Sequence, residues 1–225
     1  MSGSPALDFI EIETGPHPTH SVIWLHGLGA DGHDFAPLVP ELNIPSSLSV
    51  RFVFPHAPVQ PVTINGGYQM PAWYDILVPN LVRIEDEKGI LASERAIHTL
   101  IEHENQRGIP TENIVLAGFS QGCAMALHIG LRYPKRLAGL IGLSGYLPLA
   151  DQAASNWQAA NQETPLFIAH GSQDPVVALE RGLSTRDLLL SHGYHVDWRT
   201  YPMQHSVCPQ EINDIAAFLK KVLVV

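Results

Sequence analysis

Short runs of apolar and β-branched residues alternate along this chain with longer stretches in which apolar positions recur every three or four residues. The short runs, at 9–13, 21–25, 50–55, 114–118, 137–143, 166–170 and 195–201, predict strands. The longer stretches predict helices. Over 90–107, Ile97, Leu100 and Ile101 form one stripe with charges opposite, and 179–190 has a similar pattern. Over 210–222 the stripe is Ile212, Ile215, Ala216 and Leu219. Residues 123–129, from Cys123 to Ile129, are apolar almost all round, as a buried helix is. Strands and helices in alternation imply a mostly parallel central sheet with helices on both faces. No repeat, low-complexity tract or linker interrupts the pattern, which implies a single domain over 1–225.

Residues 56–88 break the rhythm. They contain several prolines, the pair Gly66-Gly67, and the aromatics Tyr68, Trp73 and Tyr74. So long a connection is uncommon unless it serves a site, and its aromatic content argues against disorder. It is expected to form a wall over the carboxyl edge of the sheet, with Trp73, Tyr74, Leu77 and Val78 as an apolar surface.

Composition narrows the function. At 225 residues and 45% hydrophobic, the chain can bury a substantial core without staples. A net charge of −9 argues against nucleic acid as a partner and against standing attraction to anionic membranes. Two cysteines, Cys123 and Cys208, make no disulfide framework and suit a reducing compartment. The first residues, Met1-Ser2-Gly3-Ser4-Pro5, show no signal-peptide pattern, and no run approaches the length of a membrane span. The expectation is a cytoplasmic protein without stable membrane anchoring.

The chemistry centres on Gly118-Phe119-Ser120-Gln121-Gly122, a G-x-S-x-G turn between a predicted strand and a predicted helix. This is the context of a nucleophile elbow, in which a sharp turn exposes the serine Oγ at the carboxyl edge of the sheet. A serine hydroxyl needs a base, and the base an orienting acid. The strand 166–170 ends in Gly171-Ser172-Gln173-Asp174-Pro175, which puts Asp174 on a turn at the sheet edge where open α/β sheets hold ligands. Of the twelve histidines, His205 alone stands in the loop between the last strand and the final helix. The series Ser120, Asp174, His205 is therefore the candidate catalytic triad. The glycine-bearing stretch from Leu25 to Gly32 is the candidate oxyanion loop, with the N–H groups of Leu28 and Gln121 as donors. His26 is expected to brace that loop. It lacks the spacing and lysine of a phosphate-binding loop. Ser144, in Leu143-Ser144-Gly145-Tyr146, lacks the elbow spacing and is expected, with Tyr146, to line the pocket. No H-E-x-x-H motif is present, and His17/His20 and His192/His195 have no carboxylate partners, so metal catalysis is set aside. Cys123 falls inside the helix and is expected to be packing.

These stretches, with Pro55-His56-Ala57-Pro58, Ala72-Trp73-Tyr74-Asp75-Ile76, His170 to Val176 and Met203-Gln204-His205-Ser206, resemble the carboxylesterase and acyl-protein thioesterase family. It is a compact branch of the α/β-hydrolases, without a separate cap domain. The resemblance implies a cofactor-free serine hydrolase that cleaves carboxylic esters or thioesters with apolar acyl groups. The implied substrates are small molecules or acylated proteins, and homodimers occur in the family. One departure is Cys123, where the family has glycine, which bears on how closely the helix packs behind the elbow. A non-catalytic ligand receptor and an amidase or peptidase of the same fold are the competing readings.

Overall fold

The computed structural model describes residues 7–77 and 85–224, so the expectation for Val78 and that for the first residues lie outside the described residues. Among the described residues nine strands form: β1 Phe9–Glu13, β2 His20–Leu25, β3 Val50–Pro55, β4 Val59–Val62, β5 Tyr68–Pro71, β6 Ile114–Phe119, β7 Gly139–Leu143, β8 Leu166–Gly171 and β9 Val196–Tyr201. The α-helices are α1 Glu87–Gln106, α2 Gln121–Arg132, the single turn α3 Ala150–Ala153, α4 Leu179–Ser191 and α5 Pro209–Leu223. Seven strands make one sheet in the order β1-β3-β2-β6-β7-β8-β9, parallel except for β1 against β3. The chain leaves β2 toward β3 on one side and leaves β6 toward β7 on the other. The order thus reverses between β2 and β6, and the crevice at their carboxyl ends is where such sheets bind ligands.

Period-2 alternation divides the core between the two faces. Ile23, Leu25, Leu116 and Ile168 face one apolar cluster, together with Ile97 and Ile101 of α1 and most of α2. Val22, Trp24, Val115 and Phe167 face the other, with Ile215 and Leu219 of α5 and Val39 and Leu42 of the 3₁₀ helix Ala36–Leu42. Helix α2 is buried from Gln121 to Leu131, as its apolar circumference requires. It lies so near β7 that a Cβ on Gly130 would fall 2.2 Å from Leu140 Cδ2.

Part of the 56–88 segment is regular. Strands β4 and β5 form an antiparallel hairpin turned by Thr63–Asn65, Gly66 and Gly67, both glycines having positive φ. Asp75 accepts the Thr63 N–H (2.7 Å) and so ties the turn to the segment that follows. Among the described residues no helix is long and apolar enough to cross a membrane.

Candidate active site

Ser120 sits between β6 and α2 with φ 55° and ψ −115°, a conformation that costs a non-glycine residue on the order of 1–3 kcal/mol. Its N–H donates to Leu143 O (2.8 Å) and its carbonyl accepts from Ala124 N–H (3.2 Å), which holds the turn. The flanking glycines answer to close backbone approach. A Cβ on Gly118 would lie 2.1 Å from Gly122 O, and one on Gly122 would lie 2.1 Å from Leu25 O. The elbow therefore rests directly on the end of β2.

His205 reaches the serine from the loop after β9. Its Nε2 is 2.9 Å from Ser120 Oγ, and its Nδ1 is 2.6 Å from Asp174 Oδ2. The ring packs on Phe119 at 4.7 Å. That loop is fastened to the turn after β8, where Ser172 and Gln173 N–H groups donate to Tyr201 and Met203 carbonyls. Gly171 permits the approach, since a Cβ there would stand 2.4 Å from both Met203 O and Gln204 O. Asp174 is satisfied from its own turn: Oδ1 accepts the N–H groups of Val176 (2.8 Å) and Val177 (2.9 Å), and its side chain is fully buried. His170, also buried, donates Nε2–H to Val177 O (2.8 Å) and braces the same turn. Its position at the end of β8, four residues before Asp174, was the available signal, and the sequence assigns it no role beyond its place in the stretch His170 to Val176.

The loop after β2 supplies the second half of the site. His26 donates Nδ1–H to Gly27 O (2.7 Å) and accepts the Ala57 N–H at Nε2 (3.0 Å), a neutral ring with both nitrogens engaged. Burial lowers its pKa, consistent with that state. Its role is the expected brace. Gly29 N–H donates to Pro71 O (2.8 Å) and Ala30 N–H to Gly27 O (3.3 Å). Among the described residues the Leu28 N–H has no such acceptor. Gln121 opens α2, so its N–H has no i−4 helical carbonyl. Both residues line a cavity of about 1180 Å³ together with Ser120 and His205, and it continues past Tyr74, Tyr146 and Val177. Two backbone donors beside a serine–imidazole pair can polarise a carbonyl and accept the charge that develops on its oxygen.

Two expectations, those for Trp73 and Ser144, need revision. Trp73 does not line this cavity. Its indole is 1% exposed, donates Nε1–H to His26 O (2.9 Å) and packs against the His26 ring at 5.2 Å. Its direction is set by Gln121, whose Oε1 accepts Trp73 N–H (2.8 Å) while its Nε2 donates to Tyr74 O (2.7 Å). This clamp between the elbow and the 72–75 segment had no sequence signal. Ser144 is likewise fully buried with φ 48°, under the end of β7 and not on the cavity wall. Cys123 packs without disturbance because Gly142 and Gly145 leave it room: Cβ atoms there would lie 2.9 Å and 2.6 Å from its Sγ. Burial pushes that thiol well above its usual pKa, which makes it unsuitable as a nucleophile. Tyr74 and Tyr146 do line the cavity, joined hydroxyl to hydroxyl at 2.9 Å, with the Arg181 guanidinium over the Tyr146 ring at 3.2 Å.

Comparison with known proteins agrees with this fold. The phospholipase/carboxylesterase family model matches residues 8–223. Acyl-protein thioesterase 1 of Gibberella zeae is 43% identical over 214 residues, 91% of each chain. The protein of the same name from Neurospora crassa is 46% identical over 214 residues, 91% of this chain and 87% of its own. The crystal structure of Arabidopsis thaliana SOBER1 superposes with a TM-score of 0.84 at 31% identity, over 91% of this chain and 99% of that one. The chain therefore belongs to the phospholipase/carboxylesterase family and is a carboxylic ester hydrolase with the α/β-hydrolase fold.

Proposed function

We propose that this hydrolase is an acyl-protein thioesterase, a single α/β-hydrolase unit acting in the cytoplasm through an acyl-serine. The observation that carries the reading is the unbroken chain from Ser120 Oγ to His205 (2.9 Å) to Asp174 (2.6 Å) at the wall of a large cavity. His205 takes the Ser120 proton as Oγ attacks the thioester carbonyl, and Asp174 holds the imidazole in the Nδ1–H tautomer. The Leu28 and Gln121 N–H groups receive the oxyanion of the tetrahedral intermediate. Collapse expels the cysteine thiolate, which takes the proton from His205. Water, deprotonated by the same imidazole, then releases the fatty acid and regenerates the serine. The acyl chain lies along the cavity past Tyr74 and Tyr146, while the acylated protein remains outside. The curated relatives named as acyl-protein thioesterases support the thioester and the protein substrate.

The test is turnover of a peptide S-acylated on cysteine, read as free thiol, beside the matching oxygen ester. Release of thiol that disappears in Ser120→Ala supports the proposal. Hydrolysis of the oxygen ester with an intact S-acyl peptide would refute it.

A further inference from the structure

The outer side of the oxyanion loop carries a second group of chemically capable residues. Asp31 and His33 stand two apart on the turn after Gly29, and His56 lies just beyond β3. Asp31 Oδ1 accepts the His33 N–H (2.8 Å) and faces His33 Nδ1 (3.0 Å). The His33 and His56 rings are 5.7 Å apart. One ligand atom from each of the three residues lies within 4.8 Å of the others. The Asp31 and His33 side chains are 51% and 75% exposed, and the hydrolytic chemistry uses none of the three.

We propose that Asp31, His33 and His56 form a binding site for a borderline divalent cation, Zn²⁺ by preference, and that its occupancy unties the loop presenting Leu28. Two imidazoles and one carboxylate are a donor set for Zn²⁺, whereas Mg²⁺ and Ca²⁺ require mostly oxygen. Three ligands on a tetrahedral Zn²⁺ stand roughly 3.4 Å apart, so the most widely separated side chains close by up to about 1.4 Å, with water as the fourth ligand. Exposed side chains at Asp31 and His33 can make that adjustment.

The coupling follows from the His56 ring. Gly32 N–H donates to His56 Nδ1 at 3.2 Å, which leaves the ring proton on Nε2. A cation at Nδ1 displaces the Gly32 N–H directly. A cation at Nε2 sends the ring proton to Nδ1, where it meets that N–H instead of accepting from it. Either mode breaks the bond. At Gly32 the loop is pressed onto the end of β3, since a Cβ there would lie 2.4 Å from Phe54 O. Releasing this fastening four residues from Leu28 loosens a proposed oxyanion donor and lowers kcat.

The experiment titrates chelator-treated, metal-free protein with Zn²⁺ by calorimetry, alongside kcat for an acetyl ester. Wild type should bind one equivalent, with kcat falling as the site fills. His33→Ala should lose that equivalent, and its kcat should not respond over the same range. Asp31→Asn, which keeps an acceptor for the His33 N–H, should bind markedly more weakly. Unchanged binding in His33→Ala overturns the proposal. So does inhibition of equal strength in that variant, which would put the cation on His205, and so does full occupancy at constant kcat. The effect on activity rests on Leu28 as oxyanion donor, but the binding isotherm does not. A failure of the hydrolase reading would appear separately, as no turnover by the metal-free protein.

Discussion

Replacing Trp73 tests whether the segment beside the elbow serves the acyl chain or the catalytic loops. The indole is buried in the core that includes Ile23, Leu25 and Ile97, and its Nε1–H satisfies the carbonyl of His26. Truncating such a residue costs about 3–5 kcal/mol. For a domain of this size, with total stability of about 5–15 kcal/mol, that is a drop of roughly 6–20 °C in Tm. Trp73→Phe separates the two contributions. It keeps most of the packing but leaves His26 O without its donor, at about 1–3 kcal/mol. Because His26 leads directly into Gly27 and Leu28, Trp73→Phe should lower kcat/KM for p-nitrophenyl acetate and octanoate by similar factors. The assay is the chain-length series at a temperature where both proteins are folded, with urea unfolding measured in parallel. A variant of normal stability that keeps acetate turnover and loses octanoate would show the indole facing the acyl chain, contrary to the structure.

Asp174→Asn should fold normally and lose on the order of 10⁴ in kcat, because an amide no longer holds the His205 tautomer or stabilises the imidazolium. A near-normal rate would remove Asp174 from the triad. Glu211, in the first turn of α5, has its carboxyl pKa pushed up to about 8, chiefly by burial. Its folded value lies above its unfolded value of 4.5, so its contribution to stability is complete below the unfolded value and is lost as pH rises through about 8. Glu211→Gln should therefore gain on wild type, by a few kcal/mol, in unfolding free energies measured from about pH 5 to pH 9. Parallel stability curves would contradict the assignment.

The sheet was legible because its strands are buried on one or both faces and carry dense runs of Val, Ile, Leu and Phe. Strands β4 and β5 were not, since each has four residues, contains proline and is largely exposed. Their signal was Asn65-Gly66-Gly67 between two short alternating runs. Ser120, Asp174 and His205 could be read from order alone, because each stands just past the carboxyl end of a predicted strand. The direction of a side chain in an irregular segment has no such periodicity. Trp73 and Tyr74 are adjacent aromatics, yet one turns beneath the loop that follows β2 and the other into the cavity. The choice is made by Gln121, 48 residues away from Trp73, through a contact that local pattern does not report. Ser144 was misjudged for a related reason. Its positive φ turns it under the end of β7, and neither its residue type nor its neighbours announce that conformation.

The most direct measurement is the intact mass of the protein during turnover of a slow acyl ester, followed by peptide mapping. One acyl group per chain is expected, on Ser120, formed at the rate of the first kinetic phase and absent in Ser120→Ala. Acylation at another residue, or full turnover by Ser120→Ala, would contradict it.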